Sequence, residues 1–424
     1  MWILLKAFVL FIWLPCSSNN GASANDNNLS HSYTVSVTSL LPPTVCNRTR
    51  TALPQGLGKA SLEVVSKHGP CSTLNQGKSP SLEETLRRDQ QRLYSKYSGR
   101  LQKAVPDNLK KTKAFTFPAK IESVSADEYY TVVAIGKPKQ YVSLLLDTDN
   151  CNSRECHFNI AYVDGSGNSG FWATDRMTIQ EANIKGYFTR YPFLLGCIRN
   201  SSGDKSGASG IMGLDRSPVS IITKTKISYF SYCLPSPYGS RGYITFGKRN
   251  TVKTKFIKYT PIITTPEQSE YYDITLTGIS VGGKKLPFST SYFTKLSTEI
   301  DSGAVITRLP SPMYAALRSA FRKRMKKYKR AKGAGDILDT CYDLRAYETV
   351  VVPKITIHFL GGVDLELDVR GTLVVASVSQ VCLGFAVYPS DTNSFLLGNV
   401  QQRGHEVHYD VAGRRLGFGP GNCS

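Results

Sequence analysis

Two aspartates carry the most specific chemical pattern in this chain. Asp301 follows the short approach Ser297–Ile300 and opens an Asp-Ser-Gly turn into the β-branched run ending at Ile306. Leu144-Leu145-Leu146-Asp147-Thr148 repeats the construction. Each copy is followed downstream by a hydrophobic pair running into glycine, Ile211-Met212-Gly213 after the first and Leu396-Leu397-Gly398 after the second. An acid at the end of a buried strand is costly unless something pairs or uses it. Two carboxylates about 3 Å apart cannot both ionise, so they share one proton and titrate in separate steps. One can then take a proton from a bound water while the other protonates or hydrogen-bonds a substrate carbonyl. The pattern points to hydrolysis by an activated water.

The elements that must hold these turns are mostly strands. From Pro118 onward the texture is β-rich, beginning with Tyr129–Ile135 and the run from Tyr141 to Leu146, separated by Gly136-Lys137-Pro138. Gly282-Gly283 and Gly361-Gly362 mark further turns. The clearest helical signal covers residues 311–332, where Tyr314, Leu317, Phe321, Met325 and Tyr328 recur at spacings of three and four. A second helix is expected over residues 81–93, opened by Ser81 with Glu84 at the capping-box position. Residues 1–24 have the charge, apolar core and small-residue end of a secretory signal. No later apolar stretch reaches the ~18 residues that a membrane-spanning helix requires. With 424 residues the chain can bury two sizeable cores.

The sequence resembles the pepsin-type aspartic proteases, more narrowly their plant nepenthesin-like branch, from about Ser61 to Ser424. The resemblance rests on Asp301-Ser-Gly-Ala-Val-Ile-Thr-Arg-Leu-Pro310, Ile337-Leu-Asp-Thr-Cys-Tyr-Asp-Leu344, Gly398-Asn-Val-Gln-Gln402 and Phe230-Ser-Tyr-Cys-Leu-Pro235. It implies an all-β, bilobal fold of two related β-barrel lobes with few short helices. The implied segments are a signal peptide (1–24), a propeptide (25–117), an N-terminal lobe (118–235) and a C-terminal lobe (236–424). It also implies a catalytic dyad of Asp147 and Asp301, supported by Thr148, Ser302 and Gly303, with Tyr162 as the tyrosine of a flap over the substrate. Cys341 with Cys382 and Cys233 with Cys423 match family disulfides, and Cys151 with Cys156 is a plausible short loop. The substrate is peptide or protein, no cofactor or metal is implied, and a monomer is expected.

Two departures bear on activity. Where the family has Asp-Thr-Gly-Ser, this chain has Asp147-Thr148-Asp149-Asn150, and Ala304 stands where the family has a hydroxyl residue. The interval from Asp147 to Gly213 is also distinctly shorter than that from Asp301 to Gly398. Set against the family pattern, a block of the first lobe is missing, either by a true deletion or at a splice or gene-model junction marked by Asp149-Asn150. With it goes the family partner of Cys197, which is left as an odd thiol. The alternative reading is an impaired relative that binds peptide or a protein partner.

The net charge is +20, from 52 basic and 32 acidic residues. Between Arg318 and Lys332 there are nine basic residues and no acid. Such a run either binds nucleic acid or is the solvated face of a helix, and the second reading is weighted more heavily. Export to the extracellular space (apoplast) is expected, with vacuole or plastid as lesser destinations. The sequons at Asn28, Asn47 and Asn200 suit that route.

Overall fold

The computed structural model describes residues 31–42, 44–46, 60–74, 80–104, 129–148, 157–161, 167–180, 187–202, 209–218, 220–235, 241–248, 257–263, 270–389, 393–421 and 423. Residues 1–24, Asn28, Asn47, Asp149, Asn150, Cys151, Cys156 and Tyr162 lie outside the described residues.

The strands follow the period-two rule of a half-buried sheet. In Val363–Leu367 the three apolar side chains are buried while Asp364 and Glu366 face out. The largest sheet has twelve strands. Its main path runs from Lys258–Pro261 through Arg415–Pro420, His405–Asp410, Tyr229–Cys233 and Arg241–Phe246 to β2 (Ala60–Ser66), β3 (Tyr129–Ile135), β4 (Gln140–Asp147) and Gly210–Gly213. Strands from the far end of the chain thus share a sheet with the first lobe. β2 pairs with Arg241–Phe246 on one side and β3 on the other, so the segment read as propeptide supplies an interior strand.

The second lobe adds a five-stranded sheet ordered Asp273–Ile274, Ser297–Ile300, Ser394–Leu397, Thr307–Leu309, Phe385–Val387, and two four-stranded sheets. Among the described residues these are open sheets, not closed barrels. One apolar cluster runs through both lobes and includes Leu62, Leu146, Phe230, Ile300, Leu397 and Phe418. The double-glycine turns fall where expected, with Gly282, Gly283, Gly361 and Gly362 all at positive φ.

Three elements differ from the sequence reading. The helix expected over residues 311–332 spans only Ser311–Arg324. Tyr328, still buried, instead accepts the N–H of Val351, and Lys329–Ala331 pairs as a strand with Cys341–Asp343. The helix expected over residues 81–93 continues as α1 (Leu82–Ala104). Ser81 Oγ accepts the Glu84 N–H as a cap, but the Glu84 carboxylate turns to Arg87 and Arg88 rather than closing a capping box. The segment 31–40, to which the sequence reading assigns no element, forms β1 (Ser32–Ser36) and one 3₁₀ turn, Val37–Leu40.

Disulfides join Cys341 to Cys382 across paired strands and Cys233 to Cys423. A third, Cys46–Cys71, was not expected. Cys197 is a half-buried free thiol.

Candidate active site

Asp301 is placed by a parallel strand pair. Ser297–Ile300 runs in register with Ser394–Leu397, and the Asp301 N–H continues the ladder onto the Leu397 carbonyl at 3.1 Å. The chain then turns sharply. Asp301 Oδ1 accepts the N–H groups of Gly303 (2.8 Å) and Ala304 (3.2 Å), which fixes a wholly buried carboxylate over its own turn.

The Gly398-Asn-Val-Gln-Gln402 segment braces that turn from below. A Cβ on Gly398 would lie 2.7 Å from the Ile306 carbonyl carbon and 2.8 Å from the Val305 oxygen, so only glycine lets the two chains cross. Asn399 donates its backbone N–H to Ala304 O and its side-chain amide to Ser302 O. Gln402 donates to the carbonyls of Asp301 and Leu397, and its own oxygen accepts from Tyr232. Burial pushes the Tyr232 phenol well above its ordinary pKa, and the charge of Asp301 adds to this, so it stays a neutral donor.

The first lobe repeats the frame. β4 runs parallel to Gly210–Gly213, with Asp147 in register with Gly213. The structure brings the two turns together through Thr148. Its Oγ1 accepts the Ser302 N–H at 3.0 Å and reaches the Ile300 carbonyl at 3.5 Å. The clasp is one-sided, because the buried Ser302 Oγ has no partner among the described residues.

The residues that sequence reasoning missed lie on α1. Leu82, Leu86, Asp89 and Leu93 recur at helical spacing and form the face laid against the second lobe. Leu86 packs with Val305, Ile306, Ala334, Leu338 and Val400, and Leu93 with Ala304, Tyr388 and Leu396. Ala304 therefore has an apolar neighbour where a hydroxyl would be buried beneath a leucine. Asp89 accepts the Val305 N–H at 2.6 Å with one oxygen and Arg308 Nη2 at 3.0 Å with the other. Both members of this ion pair are buried. Arg92 reaches Asp301 itself, with Nη1 at 2.8 Å from Oδ2. The signal that could have found this face was a single carboxylate, Asp89, set between Leu86 and Leu93 in an otherwise apolar stripe.

The basic run also has internal work. Arg318, Arg322 and Arg330 converge on Asp339 and its carbonyl, and Arg324 donates to Gly282 O. Asn200 lies in the strand Tyr187–Ser202. Among the described residues no group of three or more histidine, cysteine and acidic side chains is arranged to hold a metal ion.

Paired parallel-strand turns, each carrying an aspartate and clasped to the other, on a mostly β, two-lobed frame, define the pepsin-like class. Solved structures share the fold: conglutin gamma, a basic 7S globulin from lupine seeds (TM-score 0.57, 17% identity, 70% of this chain and 93% of that one), and the basic 7S globulin from soybean (TM-score 0.56, 17% identity, 69% and 92%). Family models described as xylanase inhibitor N-terminal and C-terminal match residues 148–248 and 271–420.

An aspartyl protease family protein of Arabidopsis thaliana is 35% identical over 474 aligned residues, covering 98% of each chain. Aspartyl protease AED1 of the same plant is 33% identical over 96% of each. Nepenthesin-2 of Nepenthes gracilis is 30% identical over 66% of this chain and 63% of its own. The chain belongs to the plant aspartyl protease family, and is an aspartic-type endopeptidase by that resemblance. The first alignment is longer than this chain's 424 residues, so that relative has positions with no counterpart here.

Proposed function

We propose that this chain is the latent precursor of a secreted aspartic endopeptidase, in which Asp147 and Asp301 share a proton and activate a water against a peptide carbonyl. The observation that carries the reading is the Asp301 turn. It is a buried carboxylate held by two of its own backbone N–H groups, in a loop clasped by Thr148 from the opposite Asp-bearing turn. The latency reading is supported by Arg92, whose guanidinium occupies the carboxylate face where a substrate carbonyl and water would sit. In this scheme the product is two peptides, with water added across the amide. Residues 1–24 direct export, and Asn47 and Asn200 are the sequons to examine for glycans.

The buried Ser302 hydroxyl, without a partner among the described residues, favours a second reading, an impaired protease that retains a peptide-binding cleft. A dyad must be held within about 0.5 Å of its working geometry, and a one-sided clasp holds it less firmly. The deciding assay is hydrolysis of a denatured protein at acid pH by the secreted, acid-treated chain, with and without pepstatin. Pepstatin-sensitive cleavage abolished by Asp301→Asn establishes the first reading. Pepstatin binding without cleavage establishes the second.

A further inference from the structure

The strand Thr349–Pro353 pairs with one strand only among the described residues, and that strand is β1. All five residues are in antiparallel register, from Ser32 with Pro353 to Ser36 with Thr349. The ladder extends at both ends, with Lys354 N–H to His31 O and Val37 N–H to Glu348 O, each at 2.9 Å.

Side chains reinforce it. Val37 and Leu40 are buried in the main core, where Val350 and Val352 also lie, and Tyr33 and Val35 pack against that core. Tyr33 donates to Glu366 at 3.1 Å and lies under the Lys354 ammonium, itself paired with Glu366. Removing this segment would leave a strand edge unpaired and an apolar patch open to water. None of these contacts involves Asp301 or the residues that α1 covers.

We propose that the Thr349–Pro353 edge is a dedicated strand-accepting site whose occupant is the chain's own segment 31–40, and that it retains the N-terminal fragment after maturation. The proposal rests on the precursor reading above. β1, β2 and α1 lie on one stretch of chain, and Cys46–Cys71 links the part that follows β1 to the part that follows β2. One hydrolytic cut C-terminal to α1, adding water across a single amide, would free this stretch covalently from the lobes. It would remain held at three places: β1 on the second lobe, β2 in the twelve-stranded sheet and α1 on Asp301. The mature molecule is then a non-covalent two-chain complex. β1 keeps α1 at high effective concentration over the cleft, so cutting and unblocking are separate events.

The test uses the full chain with a site-specific protease sequence inserted after Ala104, folded, cut and passed over a sizing column at neutral pH. The expected result is co-elution of the N-terminal fragment with the body, with the amides of residues 349–352 still protected from hydrogen exchange. Val37→Asp with Leu40→Asp places two charges in the core contact and is expected to weaken retention by about a hundredfold or more. Val35→Pro perturbs the ladder with little change in apolar burial. Because a variant could misfold, each is checked before cutting for an unchanged circular dichroism spectrum.

Loss of the wild-type fragment on cutting overturns the proposal. So does equal retention of wild-type and both variant fragments, which would assign the hold to β2 and α1 alone. Proteolysis is measured on the same samples. A retained fragment on a body still inactive at acid pH, where hydrogen exchange shows α1 lifted off Asp301, leaves this site intact and counts against the catalytic reading, whereas an active body that sheds its fragment counts against this site only.

Discussion

Replacing Asp89 by asparagine is the most informative single perturbation of the covered cleft. α1 holds the second lobe through a few strong contacts. Full burial of Leu86 and Leu93 is worth about 1.5–3 kcal/mol each. The charge-assisted bonds from Val305 N–H to Asp89 and from Arg92 to Asp301 add about 1.5–3 kcal/mol each. Asp89→Asn keeps an oxygen for Val305 but removes the anion facing Arg308. Breaking a buried pair from one side costs about 3–5 kcal/mol, as much as both leucines contribute. Arg308 has little to fall back on. Among the described residues its other acceptor is the Val387 carbonyl at 3.5 Å, and its buried Nε has no partner.

The cheapest response is for α1 to leave and let water reach the guanidinium. Hydrogen exchange read by mass spectrometry at neutral pH is the assay. Asp89→Asn is expected to deprotect α1 while Ser297–Ile300 and Ser394–Leu397 keep their protection. Asp89→Leu combined with Arg308→Met, which removes both charges, is expected to restore most of the α1 protection. Wild-type protection across α1 in Asp89→Asn would refute the reasoning, as would a double variant no better than the single.

Other expected outcomes follow from neighbouring groups. Arg92→Gln removes the cation on Asp301 and should speed acid activation about tenfold or more, read by the appearance of mature N-termini. His68, at the end of β2, has its pKa lowered to about 4 by burial, then by Lys67 and Arg88. The folded state therefore resists a proton that the released segment accepts near 6.5, so stability falls as pH drops from about 6.5 to 4 and is flat below; His68→Gln should flatten the urea midpoint across that window. Glu84 acts mostly below that window: hydrogen bonds from Arg87 and then Arg88 hold its pKa down to about 2, so its contribution is full above about 4.5 and is lost as pH falls from there to about 2. Cys197 should be the thiol labelled in the folded chain; peptide mapping that finds it joined to Cys151 or Cys156 would place the first-lobe gap elsewhere.

What was legible in the sequence was local. The Asp301 turn, the glycine that must follow Leu397 and the Ser81 cap each depend on neighbours within a few residues, or on a motif repeated in the chain. The partners of α1 were not legible, because its docking face is defined by a surface more than two hundred positions away. Arg92 in particular reads as one more charge on a basic helix until the structure sets it on Asp301. β1 is a different failure. Tyr33 and Val35 alternate with polar residues, which is a strand signal, but five residues are too few to separate from background without the edge they complete. The Ser311–Arg324 helix was overdrawn because Met325 and Tyr328 extend its apolar stripe, and burial of those two residues is met by a turn instead.

The described contacts of α1 with the cleft fall on the second lobe: Asp301, Ala304, Val305, Arg308, Tyr388 and Leu396. That is the half whose turn is complete and whose bracing by Asn399 and Gln402 is intact. The first lobe supplies Thr148 to the clasp, and it is the lobe shortened relative to the chain's own second half. Blocking and catalysis therefore draw on different parts of the molecule. The block needs only the intact turn and a helix that fits it, whereas water activation needs both turns held in one geometry. In the proposed precursor, a shorter first lobe weakens the chemistry while leaving the closed state as firm as before. A chain of this design would keep a well-formed latent state even where its mature form cuts poorly, so tight docking of α1 is no measure of proteolytic power.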